Sequence, residues 1–420
     1  MFTRTVLPLL FLGLNLQAAD WLQYRGPTTD GKTPEKITKP WTSAPPKQIW
    51  KVPSDSGFGS FVVGSGRAFC LELKEVDGLK QEAVIARDAG SGKELWTAAL
   101  CSAKYDGGGD SGTKENSGGD GPRSTPTIVG DRVCTLSSQL VLKCFDAAKG
   151  AALWTRDLIK DNHGRNIQWQ NAASPLSEGG LLYVAGGGPG ESVLAINPAD
   201  GAVVWKAFDE KITHATPVAA TILGQRQIIF FLQSGLLSVE PKTGKELWRY
   251  KFPYNTSTAA SPVVSNDIVY CSAGYDVGAG AVKVAKEGLG WSATQIYRIP
   301  KNKPLANHWS TPVCKDGYLY GMFQFKEFGK GPVKCVDIST GAVKWEKPGF
   351  GPGQVILAGD QVVALSDAGD LVLIATDPSA YKELARAHVI DGKCWTTPIL
   401  ANGRIYARST KEAVCLDVSG

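Results

Sequence analysis

The stretch "DAGSGKELW", Asp88 to Trp96, recurs along the chain in closely similar form. The related stretches begin at Asp146, Asn197, Glu240 and Asp337, and each ends in tryptophan. In such a stretch the acid or amide opens a turn, the glycine supplies a positive φ, and the tryptophan lies on the following strand. A turn and strand repeated at this period predict a fold built from repeated sheets.

One repeat, Ser124 to Trp154, divides into four short strand-forming runs separated by turn-forming residues. Four short antiparallel strands form a small sheet, which cannot cover a large indole ring by itself. We therefore expect each repeat tryptophan to dock against a neighbouring sheet rather than to take part in catalysis. This docking role is predicted for Trp96, Trp154, Trp205, Trp248 and Trp345.

The two ends of the chain contain complementary parts of one further repeat. The last repeat stops at "VCLDVSG", 414–420, before any tryptophan strand, whereas an isolated strand with a tryptophan occurs at "KQIWKVP", 47–53. The sequence therefore predicts an all-β protein, an eight-bladed β-propeller of four-stranded antiparallel blades. In this arrangement the N-terminal strand joins the C-terminal blade and closes the ring.

Composition and the N-terminus indicate an exported protein. The chain has 420 residues, 43% of them hydrophobic and 20% charged, with a net charge of +5, so neither disorder nor nucleic-acid binding is expected. Residues 1–19 combine Arg4, an apolar run and small residues before Asp20, as in a cleavable signal peptide. We expect a single propeller domain over 20–420, periplasmic or secreted, with no transmembrane segment and no lipid-anchor cysteine.

Cysteines occupy a position in the repeats that favours small side chains. Cys144, Cys335 and Cys415 stand two residues before a repeat acid, where other repeats have alanine or serine. Free cysteine behaves there as a small hydrophobic residue. Cys134 lies on the preceding predicted strand, where it could face Cys144 across a hairpin, and the sequence leaves a disulfide between them open.

Residues just before the first strand of each blade are expected to gather at one end of the central channel. They include two of only four histidines in the chain. We predict that they form a mouth for a small polar or planar ligand. The predicted ligand-binding residues are Asp120, Arg123, Trp169, Asn171, His214, His308, Trp309 and Trp395. The alternative is that they only pack the rim, with Arg123 paired to Asp120.

The sequence predicts no metal site. His214 and His308 lie two blades apart and have no acidic ligand beside them, whereas a closed zinc site needs four ligands. The glycine-rich insertion 105–123 contains four acidic residues but lacks the spacing of a calcium loop. We read it as a surface loop, with a calcium loop or a lid as the alternatives.

Three segments carry a resemblance to a known family. "ARDAGSGKELW", 86–96, resembles the docking motif of pyrroloquinoline quinone (PQQ)-type propeller repeats. "DWLQYRGPTTDG", 20–31, resembles the segment that opens such mature chains, and "CWTTPILANGRIYARS", 394–409, is similar to an exported bacterial subgroup with PQQ-like repeats. The resemblance covers essentially the whole mature chain and implies the propeller fold. Such propellers include outer-membrane assembly scaffolds and quinoprotein dehydrogenases.

The resemblance leaves two main functions. We favour an exported, non-catalytic, monomeric propeller that binds a protein, peptide or glycan partner and requires no cofactor. The alternative is a PQQ-dependent alcohol or sugar dehydrogenase, in which Arg123 and Trp309 or Trp395 would contact the quinone. No group of acidic residues can be assigned as the Ca²⁺ ligands and the catalytic base. Binding of PQQ with Ca²⁺ therefore stays an open alternative without clear ligands. A hydrolase is disfavoured because no Gly-x-Ser-x-Gly motif is present.

Overall fold

The computed structural model describes residues 20–38, 40–103, 121–254, 258–288, 290–323 and 325–419. Within these residues the strands form eight sheets of four antiparallel strands, and one of these sheets has a fifth, parallel strand. The helical content of the same residues is a single turn, Leu158–Asp161, capped by the Asp157 carboxylate. No helix among them has the length and apolar character to cross a membrane. The predicted all-β, eight-bladed propeller is confirmed.

The first four blades follow one another along the chain. Blade 1 contains β3 (Val62–Gly64), β4 (Arg67–Val76), β5 (Leu79–Asp88) and β6 (Glu94–Ser102). Blade 2 contains β7 (Thr127–Val129), β8 (Arg132–Leu136), β9 (Val141–Asp146) and β10 (Ala152–Asp157). Blade 3 contains β11 (Leu176–Glu178), β12 (Leu181–Ala185), β13 (Val193–Ile196) and β14 (Val203–Ala207). Blade 4 contains β15 (Val218–Ile222), β16 (Gln225–Leu232), β17 (Gly235–Val239) and β18 (Glu246–Lys251).

The remaining blades include two that take a strand from the N-terminus. Blade 5 contains β19 (Val263–Ser265), β20 (Ile268–Ala273), β21 (Gly278–Glu287) and β22 (Gly290–Ile299). Blade 6 contains β23 (Val313–Lys315), β24 (Tyr318–Met322), β25 (Val333–Asp337) and β26 (Val343–Lys347). Blade 7 contains β27 (Gln354–Ala358), β28 (Gln361–Leu365), β29 (Asp370–Ala375) and β30 (Glu383–His388), with β1 (Lys32–Thr33) added in parallel to β27. Blade 8 contains β31 (Ile399–Ala401), β32 (Arg404–Arg408), β33 (Glu412–Asp417) and β2 (Lys47–Pro53).

The ring closes through β2, as the sequence predicts. β2 pairs antiparallel with β33 from Lys47↔Asp417 to Pro53↔Glu412. Its Trp50 is 5% exposed and takes the position that the repeat tryptophans take in other blades. The Trp50 indole N–H donates to the carbonyl of Ala89 in blade 1, at 3.1 Å. The first and last parts of the chain thus share one sheet, and that sheet docks on blade 1.

The repeat tryptophans contact the turn of the following blade. Trp96, Trp154 and Trp205 donate to the carbonyls of Ala147, Pro198 and Pro241, at 2.8–3.2 Å. Each ring lies against the repeat glycine of that turn, so that a Cβ at Gly244 would lie 2.5 Å from the Trp205 ring. The glycine is required because its φ is positive and because a larger residue would displace the indole ring.

Two tryptophans depart from this pattern where the receiving turn is different. In blade 5 the sequence Glu287–Gly290 replaces the repeat turn, and Trp248 of blade 4 donates instead to the Gln227 side chain of its own blade, at 2.7 Å. Trp345 of blade 6 still donates to a backbone carbonyl of the following blade, that of Asp377, but it packs edge-on against Tyr381 instead of on a turn glycine. The partner of each ring is therefore set by the sequence of the following blade.

The small residue in each repeat lies directly opposite the tryptophan. Trp96 pairs with Ala86, Trp154 with Cys144 and Trp345 with Cys335. A small side chain at this position makes room for the indole ring on the same face of the sheet. Cys335 and Cys415 are buried free thiols, whereas Cys144 is joined by a disulfide to its register partner Cys134. The disulfide that the sequence left open is therefore present in the structure.

The segment 20–33, which we call the axial segment, crosses the channel at the end opposite the predicted mouth. It contacts the inner strands of six blades, and residue 35 contacts a seventh. These contacts are Trp21 with Val63, Leu22 with Ile128, Gln23 with Ser177, Thr29 with Ala219, Arg25 with Thr311 and Pro312, Lys32 and Thr33 with Leu357 and Ala358, and Glu35 with Asn402 and Gly403. Arg25 is 2% exposed and uses its guanidinium to bind carbonyl oxygens of the channel wall. The channel is therefore blind at this end.

A buried ionic cluster lies where blade 8 meets blade 1. The Glu72 carboxylate of β4 is fully buried, 3.7 Å from the Arg87 guanidinium and 3.9 Å from that of Arg408. It accepts a hydrogen bond from Ser54, just after β2. Burial by itself would raise the pKa of Glu72, but Arg408, Arg87 and Lys74, together with the Asp55 N–H, outweigh it and hold the pKa below its usual value. The cluster therefore joins the closing blade to the first blade through charge, in addition to the contact that Trp50 makes with Ala89.

The contact between Trp205 and Gly244 is tested by the Gly244→Ala substitution. Both strain at positive φ and the clash with the ring should lower the free energy of unfolding, by about 2–4 kcal/mol in total. Gly224→Ala is the matched control, because Gly224 also has a positive φ but has open space around its Cα. Urea unfolding should show the larger loss for Gly244→Ala. Equal losses would mean that the ring contact contributes nothing.

The ionic cluster around Glu72 predicts that the protein loses part of its free energy of unfolding in acid. Because the pKa of Glu72 is lowered in the folded state, its stabilisation is present above the ordinary glutamate pKa and is lost as pH falls through the folded value. Glu72→Gln should cost about 3–5 kcal/mol at neutral pH, because it leaves buried guanidinium charge uncompensated. It should also flatten the decline in stability below about pH 4. Glu246→Gln is the control and should cost under about 1 kcal/mol, because both side chains of the Glu246–Arg249 ion pair are accessible to solvent.

Candidate functional site

A cavity of about 180 Å³ lies at the predicted mouth of the channel. It is bounded by the ends of the inner strands, including Ser174, Thr216 and Thr397, and by Tyr24 of the axial segment. Six of the eight predicted site residues line it, although they come from separate repeats. These are Arg123, Trp169, His214, His308, Trp309 and Trp395. The connections that precede the inner strands therefore converge as expected.

The other two predicted residues lie elsewhere. Asn171 is buried and does not line the cavity, since its side-chain amide donates to the carbonyls of Ser137 and Ala173. Its contacts hold the connection that leads into blade 3. Asp120 lies outside the described residues, together with the rest of 104–120 and with residues 1–19.

Sequence reasoning missed a second group of lining residues. Tyr275 lies between β20 and β21, and Lys326 and Phe328 lie between β24 and β25. In an antiparallel blade, the connection between the second and third strands lies on the same face as the connection that precedes the first strand. The alternation of strand direction could therefore have placed these residues at the mouth. The prediction rested only on the connections before the first strands.

Aromatic rings surround the mouth in a continuous series of contacts. We call this series the aromatic arc: Phe58, Trp395, Trp309, His308, Tyr275 and Trp169. Successive ring centroids in the arc lie 4.8–5.7 Å apart. Trp309 and Trp395 are stacked, as are Trp169 and Tyr275, and Phe328 stacks on Trp395 while remaining 47% exposed. The arc offers both ring faces and ring edges to a ligand.

The charged groups at the mouth are cationic. The Lys326 ammonium lies 5.2 Å from the centre of the Tyr275 ring, and the Lys393 ammonium lies 4.6 Å from that of Trp395. The Arg123 guanidinium lines the same cavity. Among the described residues that line the cavity there is no carboxylate. The mouth therefore favours an anionic or electron-rich group.

Arg123 and His214 hold the loop that presents Trp169. Arg123 donates to the Trp169 carbonyl at 2.7 Å, and the His214 ring is hydrogen-bonded to the backbone of Gln170 and Gln168. Trp169 and Gln170 both have positive φ, at 64° and 60°. Two consecutive non-glycine residues at positive φ raise the energy of the backbone. Such strain is retained where the surrounding contacts fix the conformation. Trp169 is thus held in a defined position.

Both histidines of the cavity are neutral at physiological pH. Burial, followed by the nearby charge of Arg123, lowers the pKa of His214 to about 3. Burial, His214 and Lys326 lower the pKa of His308 to about 3. His308 Nδ1 is buried without a hydrogen-bond partner in the protein.

The residues of the cavity fit PQQ with Ca²⁺ poorly. Arg123 and the two tryptophans are the groups that would favour a quinone. The centroids of Trp309 and Trp395 are only 5.2 Å apart, so these rings pack on each other rather than flank a third ring. Ca²⁺ requires several oxygen ligands, and no carboxylate lines this part of the described chain. In the described residues, no three His, Cys, Asp or Glu side chains cluster in a way that could hold a metal ion.

Fold and cavity together define an eight-bladed propeller of PQQ-like repeats with a blind channel. The profile of the family described as "Outer membrane protein assembly factor BamB" matches residues 80–346, which is more than half of the chain. The chain therefore belongs to this family, and the predicted resemblance to PQQ-like propellers is confirmed. No curated protein sequence matches it.

Solved structures show the same fold at low sequence identity. BamB from Moraxella catarrhalis is 15% identical with a TM-score of 0.60, over 89% of this chain and 98% of that one. The quinohemoprotein alcohol dehydrogenase of Comamonas testosteroni is 12% identical with a TM-score of 0.67, over 96% and 81%. The computationally designed protein Ika8 is 10% identical with a TM-score of 0.55, over 88% and 99%. At these identities the likeness concerns the fold alone.

The histidine pKa values can be measured by NMR of the imidazole C–H protons. Resonances of His214 and His308 should not titrate between pH 5 and 8, because both pKa values are lowered to about 3. His388 should titrate above its ordinary value, since Asp391 and Asp370 raise its pKa. His214→Asn and His308→Asn variants assign the signals. Titration of either cavity histidine near pH 6.5 would contradict the burial described above.

Proposed function

We propose that this chain is a non-catalytic binding propeller of the cell envelope, whose partner is engaged at the aromatic arc. The proposal rests on the aromatic arc, in which six rings and nearby cationic side chains surround the mouth of a blind channel. Apolar ring faces with a few polar groups are typical of ligand-binding cavities. Membership of a family described as an outer membrane protein assembly factor supports a role in binding and an envelope location. The predicted signal peptide agrees with that location.

The geometry supports binding better than catalysis. Acid–base chemistry needs a titratable group whose pKa lies near the working pH, whereas the two cavity histidines have pKa values of about 3. His214 is engaged in holding the Trp169 loop. No acidic side chain lines this cavity within the described residues, so neither histidine is paired there with a carboxylate. The protein, peptide or glycan partner would be held by stacking and by charge.

Site-specific photocrosslinking tests this proposal. A benzophenone amino acid at Phe328 lies at the exposed edge of the arc, and the same group at Leu153 lies exposed on the outer strand of blade 2. Benzophenone inserts into C–H bonds of peptides and sugars alike. In cells producing the full chain, the Phe328 position should give a discrete adduct that Trp395→Ala weakens, and Leu153 should give none. Equal adducts at both positions would contradict a partner site at the arc.

The dehydrogenase alternative requires a separate measurement, because Arg123 and the tryptophans lie in the same cavity. Purified protein is mixed with PQQ and Ca²⁺, and the absorption spectrum and dye reduction with alcohols or sugars are recorded. We expect neither a bound-quinone spectrum nor dye reduction. A stoichiometric quinone spectrum that is lost in Arg123→Gln would replace the binding proposal with the dehydrogenase.

A further inference from the structure

A second cavity, of about 580 Å³, adjoins the first on the same face of the propeller. It lies between blades 3 and 4 and is lined by the connection 165–169, by Gly187 to Pro189, by Asp209 to Ile212 and by Gln233. These are again connections before the first strand and between the second and third strands. Trp169 lines both cavities. The two cavities therefore meet at this single side chain.

Trp169 is fixed where the cavities meet. Its carbonyl is held by Arg123, its neighbours are held by His214, and its ring stacks on Tyr275 with an interplanar angle of 12°. A loop that merely covered the surface would not need two consecutive residues at positive φ. The strain and the buried contacts indicate that the position of this ring matters.

The two cavities differ in chemistry. The first is aromatic and cationic, with no carboxylate among its described lining residues. The second presents charged side chains of both signs and amides, including Arg165, Gln168, Asp209 and Lys211. Such side chains donate to and accept from hydroxyl groups. Together, the two cavities suit a ligand that has an anionic ring at one end and many hydroxyl groups along the rest of its length.

Several backbone groups of the second cavity are already paired. The Gly188 N–H donates to the Asn162 carbonyl at 2.7 Å, and the Gln233 N–H donates to the Lys211 carbonyl at 3.0 Å. The Gln233 carbonyl accepts from Tyr254. An extended peptide that binds by adding a strand needs unpaired backbone groups. Recognition here would come from side chains, which favours a glycan over an extended peptide.

We propose that the two cavities form one cleft for a linear acidic glycan. A carboxylated sugar ring lies in the first cavity against the aromatic arc and near Arg123 and Lys326, and the next sugar units pass Trp169 into the second cavity. This inference rests on the proposed function and adds the class of ligand. The Trp169 ring supports the linkage between the two cavities, since the C–H groups of a pyranose pack on the electron-rich face of an aromatic ring.

The test compares oligosaccharides of different length and charge by titration calorimetry with the full mature chain. The probes are a (1→4)-linked tetramer of galacturonic acid, galacturonic acid itself, maltotetraose as the neutral tetramer, and an acidic hexapeptide. The acidic tetramer should bind at least tenfold more tightly than its monomer and than maltotetraose. Added salt should weaken its binding, because exposed charges are screened.

Variants separate the two cavities. Arg165 lines the second cavity only, so Arg165→Ala should reduce the affinity for the tetramer at least fivefold and leave that for the monomer within twofold. Trp169 lines both cavities, so Trp169→Ala should weaken binding of the tetramer at least fivefold and that of the monomer to a smaller extent, whereas Trp169→Phe should retain most of both affinities. Trp291→Ala, an aromatic of β22 that lines neither cavity, is the matched control, and unchanged thermal melting establishes that each variant is folded.

The outcomes distinguish this inference from the proposed function. Equal binding of monomer and tetramer, or equal losses for both with Arg165→Ala, would overturn the two-cavity cleft. Binding of the hexapeptide but not of the acidic sugars would overturn the glycan as the ligand and leave the binding propeller intact. No binding of any probe, with a crosslink still formed at position 328, would also reject the acidic glycan. Absence of both would reject the proposed function itself.

Discussion

The contact between an indole ring and the turn glycine of the next blade is the interaction on which the structure depends. A four-stranded blade has too little apolar surface to be stable alone, so its stability comes from its neighbours. Trp205 on Gly244 shows how specific this contact is, because the ring packs on the Cα and donates to a carbonyl of the same turn. Where blade 5 lacks the turn, Trp248 turns to its own blade. The ring of blades then arranges the loops that form the cavity.

Much of the fold was contained in the repeats. The period, the small residue opposite each tryptophan and the unmatched strand at 47–53 were sufficient to predict eight blades and their closure. Each of these features lies within one repeat or concerns the pairing of one strand with its neighbour. Strand pairing alone therefore translates them into blades. The axial segment was not predicted to cross the channel, because its partners are spread over the whole chain and no short pattern announces them.

The candidate site was predictable only in part. Arg123, His214, His308 and Trp395 converge as expected, since position relative to the first strand fixes their face of the ring. Their individual roles were not predictable: Arg123 and His214 hold the Trp169 loop, and Asn171 holds another connection. Tyr275 and Phe328 come from connections of variable length, where the sequence alone does not place a ring. Side-chain direction is decided by packing, which the repeat pattern does not contain.

The axial segment has a consequence for the order in which the molecule assembles. During synthesis residues 20–33 and β2 emerge first, yet their partners include β27 and β33, which emerge last. Contacts between residues so far apart in sequence carry a large loop-closure entropy and slow the folding of β-rich chains. The blind end of the channel and the last blade are therefore completed together, after the rest of the ring is present. A chain shortened at its C-terminus would lose its final blade and, with it, the contacts that Asp20 and Glu35 make with Asn402 and Gly403 beside the blind end of the channel.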